Sequence, residues 1–215
     1  MDYQSGDLIL FYGRDWPSRV IELATWGPSH IGMVTTAPKF SERPVIVEST
    51  TLCATPCLIQ KKPVSGVQAH DVASRRAEYP GRTRVMRLQP HWALSQSDTD
   101  FLRDQLLSWI GQPYDLPDAI VSGTRVVKLT DLAPYPDEGS IFCSALCAAV
   151  LMRCGRFPIG NAWSYNPASL VRKLRRMGIY HAVDEAPPAN DPDPVILPFP
   201  GAHLPIAPAL RRIFR

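Results

Sequence analysis

No stretch of this chain is long and apolar enough to predict a membrane span. The longest wholly apolar run is Ala145 to Met152, against the ~20 residues that a spanning helix needs. The start, Met1-Asp2-Tyr3-Gln4-Ser5, has neither the basic lead nor the long apolar stretch of a secretory signal. A cytoplasmic protein without a transmembrane segment is therefore expected. Basic blocks are missing too. Lys and Arg number 23 and Asp and Glu 20, a formal net charge of +3. That is too small to suggest a nucleic-acid partner, and none is expected. Cysteine is sparse and odd in number: Cys53, Cys57, Cys143, Cys147 and Cys154. Without a secretion signal this argues against a disulfide framework and for reduced thiols. There is no internal repeat.

What is present suits one domain with an appendage. Hydrophobic residues make up 45% of the chain, enough for a sizeable core. Gly6 to Gly13 reads as a short apolar strand. Pro17 opens a helix to about Trp26. Ser29 to Thr36 and Val45 to Thr50 read as an antiparallel hairpin around a polar turn. Val67 to Val72 and Arg82 to Leu88 are further strand candidates. Ser95 to Asp98 supplies caps for a helix to about Ile110, stopped by Gly111 and Pro113. Residues 111–140 carry little periodicity, as functional or covering loops do. Phe142 to Met152 is apolar on nearly every side, which predicts a central buried helix. Pro167 opens a last helix through Met177. From Asp184 onward the composition shifts, with eight prolines, and an extended tail is expected. The order predicts an α+β fold on an antiparallel sheet, with one domain over residues 1–183 and a Pro-rich tail over 184–215.

The chemistry gathers on three residues. Cys143 falls where a loop gives way to the buried helix. Unpaired backbone N–H groups and the helix dipole favour a thiolate there. Cys147 lies one turn deeper and reads as packing, while Cys154 sits at the unfavourable end. A buried, inert Cys143 is the alternative. His30 and Glu48 stand on neighbouring strands of the predicted hairpin. Both have even numbers, so an even register without a bulge puts them on one face. A Glu among Val45, Ile46 and Val47 needs a partner, and His30 is the partner at hand. Nucleophile, base and orienting carboxylate are the parts of acyl-transfer chemistry.

These residues, with their neighbours, resemble a known family. Gly6-Asp7-Leu8-Ile9-Leu10-Phe11, Ser29-His30-Ile31-Gly32-Met33-Val34, Val47-Glu48-Ser49-Thr50, Gly66-Val67, Gly111-Gln112-Pro113-Tyr114-Asp115 and Phe142-Cys143-Ser144-Ala145-Leu146 occur in the order of the circularly permuted NlpC-type cysteine peptidases. These are YiiX-like proteins related to lecithin retinol acyltransferase. The resemblance implies a circularly permuted papain-like fold, with an antiparallel sheet against the nucleophile-bearing helix. It implies Cys143 as nucleophile, His30 as base, Glu48 as orienting residue and Tyr114 beside the active site. It also implies a hydrolase for a peptide or peptidoglycan-type amide, with acyl lipids as the alternative substrate, and needs no cofactor or metal. Asp7 reads as structural, a turn or cap residue. Residues 116–140 and the tail depart from the family pattern.

Two other readings remain open at this stage. A non-catalytic binding module could use the same fold. Cys53-x-x-x-Cys57 could hold zinc with His70 or His91, although no second ligand pair follows at a usual distance. His181 and His203 have no partner in the sequence pattern. The basic last helix and Leu210 to Arg215 allow a weak contact with an anionic membrane surface, against the plainer reading of a solvated face.

Overall fold

Six antiparallel strands form one sheet in the order β4-β3-β2-β1-β5-β6. They are β1 (Leu8–Tyr12), β2 (His30–Ala37), β3 (Ser41–Thr50), β4 (Gly66–Asp71), β5 (Arg82–Leu88) and β6 (Tyr180–Val183). Helices α1 (Val72–Glu78), α2 (Gln96–Ser108), α3 (Cys143–Arg153) and α4 (Pro167–Arg176) complete the regular elements among the described residues, with short 3-10 turns at Pro90–Trp92 and Ala162–Ser164. This is a computed structural model, and it describes residues 2–13, 27–51, 54–115 and 140–183. The expected helix at Pro17 to Trp26, the stretch 116–139 and the Pro-rich tail lie outside the described residues.

Alternation along the strands divides the apolar residues between two layers. Leu8, Leu10, Ile31, Met33, Val47, Val67, Ala69 and Met86 face the larger core. That core is closed by α3, whose residues Cys143 to Leu151 are all buried. The expectation of a central helix holds, because a helix apolar all round has no face to give to water. Full burial of a leucine such as Leu146 stabilises by about 2 kcal/mol. Ile9, Phe11, Val34, Ile46 and Val85 form a smaller layer with Val72 at the start of α1.

Sequence signals set most element ends. Ser95 caps α2 in a capping box with Asp98, and Arg156 pairs with the same Asp98 at 2.7 Å. Asn166 caps α4, with Pro167 in its first turn. The last helix ends at Arg176, and α3 starts one residue later than expected because Phe142 is its cap. Asp7 is structural, as expected. Its buried carboxylate accepts from the Gln4 N–H at 2.9 Å and from Arg87 at 3.0 and 2.8 Å, tying β1 to β5. Three elements differ from the sequence reading, and the first is β3, which begins at Ser41 inside the expected turn. Asp71 ends β4 and caps a new helix through the Ser74 N–H at 2.8 Å, so Val72 opens α1 rather than closing a strand. Tyr180–Val183 adds an edge strand beside β5, its Tyr180 hydroxyl donating to the Gly6 carbonyl at 2.7 Å. No helix among the described residues is long and apolar enough to cross a membrane.

Candidate active site

The hairpin of β2 and β3 does bring His30 and Glu48 together. Met33 pairs with Val47 and Val34 with Ile46, so even positions oppose even positions. The one irregularity lies between Thr35 and Ala37, away from His30. Continued along the strands, this register sets Gly32 opposite Glu48 and leaves His30 as its diagonal neighbour. Gly32 is needed there. A Cβ on it would stand 2.7 Å from the Ile46 side chain and 3.1 Å from the Glu48 Cβ, pressing on the carboxylate. His30 Nε2 lies 2.6 Å from Glu48 Oε2.

Glu48 is fully buried, and a buried carboxylate stays charged only when it is paired. His30 is one partner. The other is Arg75, one turn into α1. Its Nε donates to Glu48 Oε1 at 2.5 Å and its Nη2 to Oε2 at 3.3 Å. The guanidinium carbon lies over the Phe11 ring at 5.1 Å and the Tyr79 ring at 5.6 Å, while Phe11 also lies 5.1 Å from the His30 ring. Sequence reasoning did not find Arg75. The signal available was Asp71, three residues before Ser74, which announces a helix start.

Cys143 is the first residue of α3 and 4% exposed. Phe142 offers no side-chain cap, so the first N–H groups of the helix are not taken by one. Glu48 belongs by alternation to the α1 layer and Cys143 to the main core. His30 is the first residue of β2 and is half-buried, opposite Phe11 on β1. Its Nε2 faces Glu48. Burial alone would lower the pKa of His30. Cys143 and then Glu48, each by charge and hydrogen bonding, outweigh it and raise His30 to about 9. Burial likewise opposes ionisation of Glu48, but His30 and Arg75 bring its pKa down to about 2. The arrangement favours imidazolium beside carboxylate.

Tyr114 also comes to the site. Val67 N–H donates to the Gln112 carbonyl at 2.8 Å, and Gly111 N–H to the Val67 carbonyl at 2.9 Å. Gly66, at φ +142°, permits this, because its Cβ would fall 2.1 Å from the Gln112 oxygen. Ile141 N–H, just ahead of α3, donates to the Pro113 carbonyl at 3.0 Å, so the Tyr114 turn and the Cys143 helix share an anchor. Burial first, and then the negative charges of Cys143 and Asp115, push the Tyr114 phenol up, so it stays a donor. Ser49, buried on β3, donates to the Ile141 carbonyl at 2.5 Å and braces the same junction.

Burial pushes Cys147 well up and Cys154 to about 11. Of the alternative zinc ligands, Cys57, His70 and His91 lie among the described residues. Cys57 is buried and its sulfur accepts from the Ala69 N–H at 3.4 Å. His70 pairs with Gln68 at 2.9 Å, His91 lies against Trp92, and Cys53 is outside the described residues. No three His, Cys, Asp or Glu side chains converge among the described residues. His181 sits on β6 opposite Arg87, and His203 is outside.

No family model and no curated protein matches the chain. A solved structure does. The fold is similar to that of the metalloprotein YiiX from Escherichia coli O157:H7. The two share 19% identity over 85% of this chain and 89% of that one, with a TM-score of 0.52. Likeness to YiiX at that identity speaks for the fold; the chemistry rests on the residues above.

Proposed function

We propose that this protein is a cysteine hydrolase with a circularly permuted papain-like arrangement, in which Cys143 attacks an amide carbonyl. The observation that carries the reading is His30. Its ring is held by the buried Glu48 at 2.6 Å, and Cys143 and Glu48 together raise its pKa to about 9 against the effect of burial. His30 takes the proton of the Cys143 thiol. The sulfur adds to the carbonyl carbon, and the negative charge moves to the carbonyl oxygen. The Cys143 N–H, at a helix start without a side-chain cap, and the Tyr114 hydroxyl are the donors for that oxygen; one such donor is worth ~3 kcal/mol. His30 gives its proton to the departing amine, leaving a thioester on Cys143. Water, losing a proton to His30, then releases the acid and restores the pair. A peptide or peptidoglycan-type amide is the substrate class in this reading.

YiiX itself is described as a metalloprotein. The donor set here does not fit a cation at Glu48. Both Glu48 oxygens already accept from Arg75, whose charge would repel an incoming ion.

The test is labelling with a panel of amide, ester and lipid electrophiles, with mass spectrometry locating the adduct. The reading expects Cys143 to react faster than free cysteine at pH 6–7, in a way that His30→Ala abolishes. It expects Cys143→Ala to fold normally and turn nothing over. A Cys143 no more reactive than free cysteine would leave the fold as a binding module. Preference for lipid esters would move the substrate class while keeping the mechanism.

A further inference from the structure

Glu48 is the pivot of the site, yet nothing on its own strand holds its carboxylate. On the neighbouring strand its cross-strand partner is Gln68. The Gln68 amide is occupied elsewhere, donating to the Val64 and Thr50 carbonyls at 3.0 and 3.2 Å, with its oxygen 2.9 Å from His70. The fixed contact comes from α1. We propose that Arg75 is a positioning residue: its guanidinium sets the Glu48 carboxylate, and through it the His30 ring, in line with Cys143. The inference rests on the thiol-hydrolase reading above.

Three observations converge on it. First, the Arg75 Nε and Nη2 reach both carboxylate oxygens, which fixes the plane of the carboxylate as well as its place. Second, Glu48 Oε2 is shared: it faces His30 Nε2 at 2.6 Å and Arg75 Nη2 at 3.3 Å. Any rotation of the carboxylate that strains one contact strains the other. Third, the guanidinium is itself clamped by Phe11 and Tyr79, and Phe11 is a common wall for the guanidinium and the imidazole. Arg75 is only 8% exposed. A flat fork in an aromatic slot is the geometry that lysine, a single mobile point charge, does not reproduce.

The charged and titratable groups that interact with Glu48 among the described residues are Arg75 on α1, His70 on β4, His30 on β2 and Cys147 on α3. Of these, Arg75 and His30 are bonded to the carboxylate. Arg75 therefore acts through Glu48, and its effect should vanish when Glu48 carries no charge.

The experiment is a double-mutant cycle on the full chain, read as the rate of Cys143 alkylation by iodoacetamide between pH 5 and 9, with circular dichroism as the check on folding. Arg75→Met should slow labelling at pH 7 by about tenfold or more, the scale of a sub-ångström misplacement in a reacting pair. Arg75→Lys should recover part of that loss. In a Glu48→Gln background, Arg75→Met should change the rate by less than about twofold. An equal loss in both backgrounds would mean that Arg75 merely packs on Phe11 and Tyr79, and would overturn the proposal. So would a wild-type rate in folded Arg75→Met. If Arg75→Met fails to fold, Arg75→Lys decides, and a wild-type rate and pH profile in that variant refutes the role. Failure of the underlying reading looks different: wild-type Cys143 would then label like free cysteine and ignore His30→Ala, which removes this proposal with it.

Discussion

Replacing Glu48 by Gln keeps the volume of the side chain and removes its charge, so it tests the electrostatic reasoning without opening a cavity. Two cations lose their partner, one of them the buried Arg75. Removing one member of a buried pair costs about 3–5 kcal/mol, and that is the expected loss of stability at pH 7. Its pH dependence follows from the two shifted groups. Glu48 is depressed from 4.5 to about 2, so its stabilisation is present above pH 4.5 and is lost as pH falls toward 2; the gap corresponds to about 3 kcal/mol. His30 is raised from 6.5 to about 9, so its stabilisation is full below pH 6.5 and is lost as pH rises toward 9, again about 3 kcal/mol. Both figures describe one ion pair and are not summed. Urea unfolding from pH 3 to 10 should show a wild-type plateau between about pH 4.5 and 6.5. The gap between wild type and Glu48→Gln should narrow as pH falls below that plateau. The alkaline decline should weaken in the variant without vanishing, because Cys143 contributes more to holding the His30 proton than Glu48 does. A gap that stays constant from pH 7 to 3, or one below about 1 kcal/mol at pH 7, would refute the reasoning.

Two further substitutions separate the roles of neighbouring groups. Tyr114→Phe should slow turnover of an acyl substrate about 100-fold, the worth of one oxyanion donor, and leave iodoacetamide labelling of Cys143 unchanged, since alkylation forms no oxyanion; equal loss in both assays would make Tyr114 a packing residue. Gly66→Ala should lower stability by more than about 2 kcal/mol in thermal or urea melts, because it combines a left-handed φ with a 2.1 Å approach to the Gln112 oxygen; a loss within about 0.5 kcal/mol would show that the Tyr114 turn yields freely.

Much of this was legible from side-chain pattern, and the exceptions share a cause. Apolar residues marked β1, β2 and β5, the caps at Ser95–Asp98 marked α2 and Pro167 marked α4, because each of these elements runs long enough to leave a local signal. The seven residues of α1 and the four of β6 are too short for that. The Ser41–Pro44 half of β3 is paired yet mostly wet, so it reads as a turn. For the site, parity of residue numbers was enough to join His30 to Glu48, since the bulge that would have broken it lies past Thr35. It could say nothing of Arg75, which arrives from the short helix and meets Glu48 only in three dimensions. In the sequence a carboxylate among Val45, Ile46 and Val47 called for a partner, and His30 met that need, so nothing there asked for a second cation.

The order in which the chain supplies these parts has a consequence for the cell. His30, Glu48 and Arg75 leave the ribosome early, and at usual rates of synthesis Cys143 follows on the order of ten seconds later. The strands and α1 can pair in that interval, but the larger core stays open until α3 arrives to fill it. Hydrophobic collapse of that core and the arrival of Cys143 at His30 are thus one event, late in folding. A nascent or truncated chain that stops before residue 143 lacks the residue that contributes most to holding the His30 proton, so the proposed centre assembles only in a finished fold.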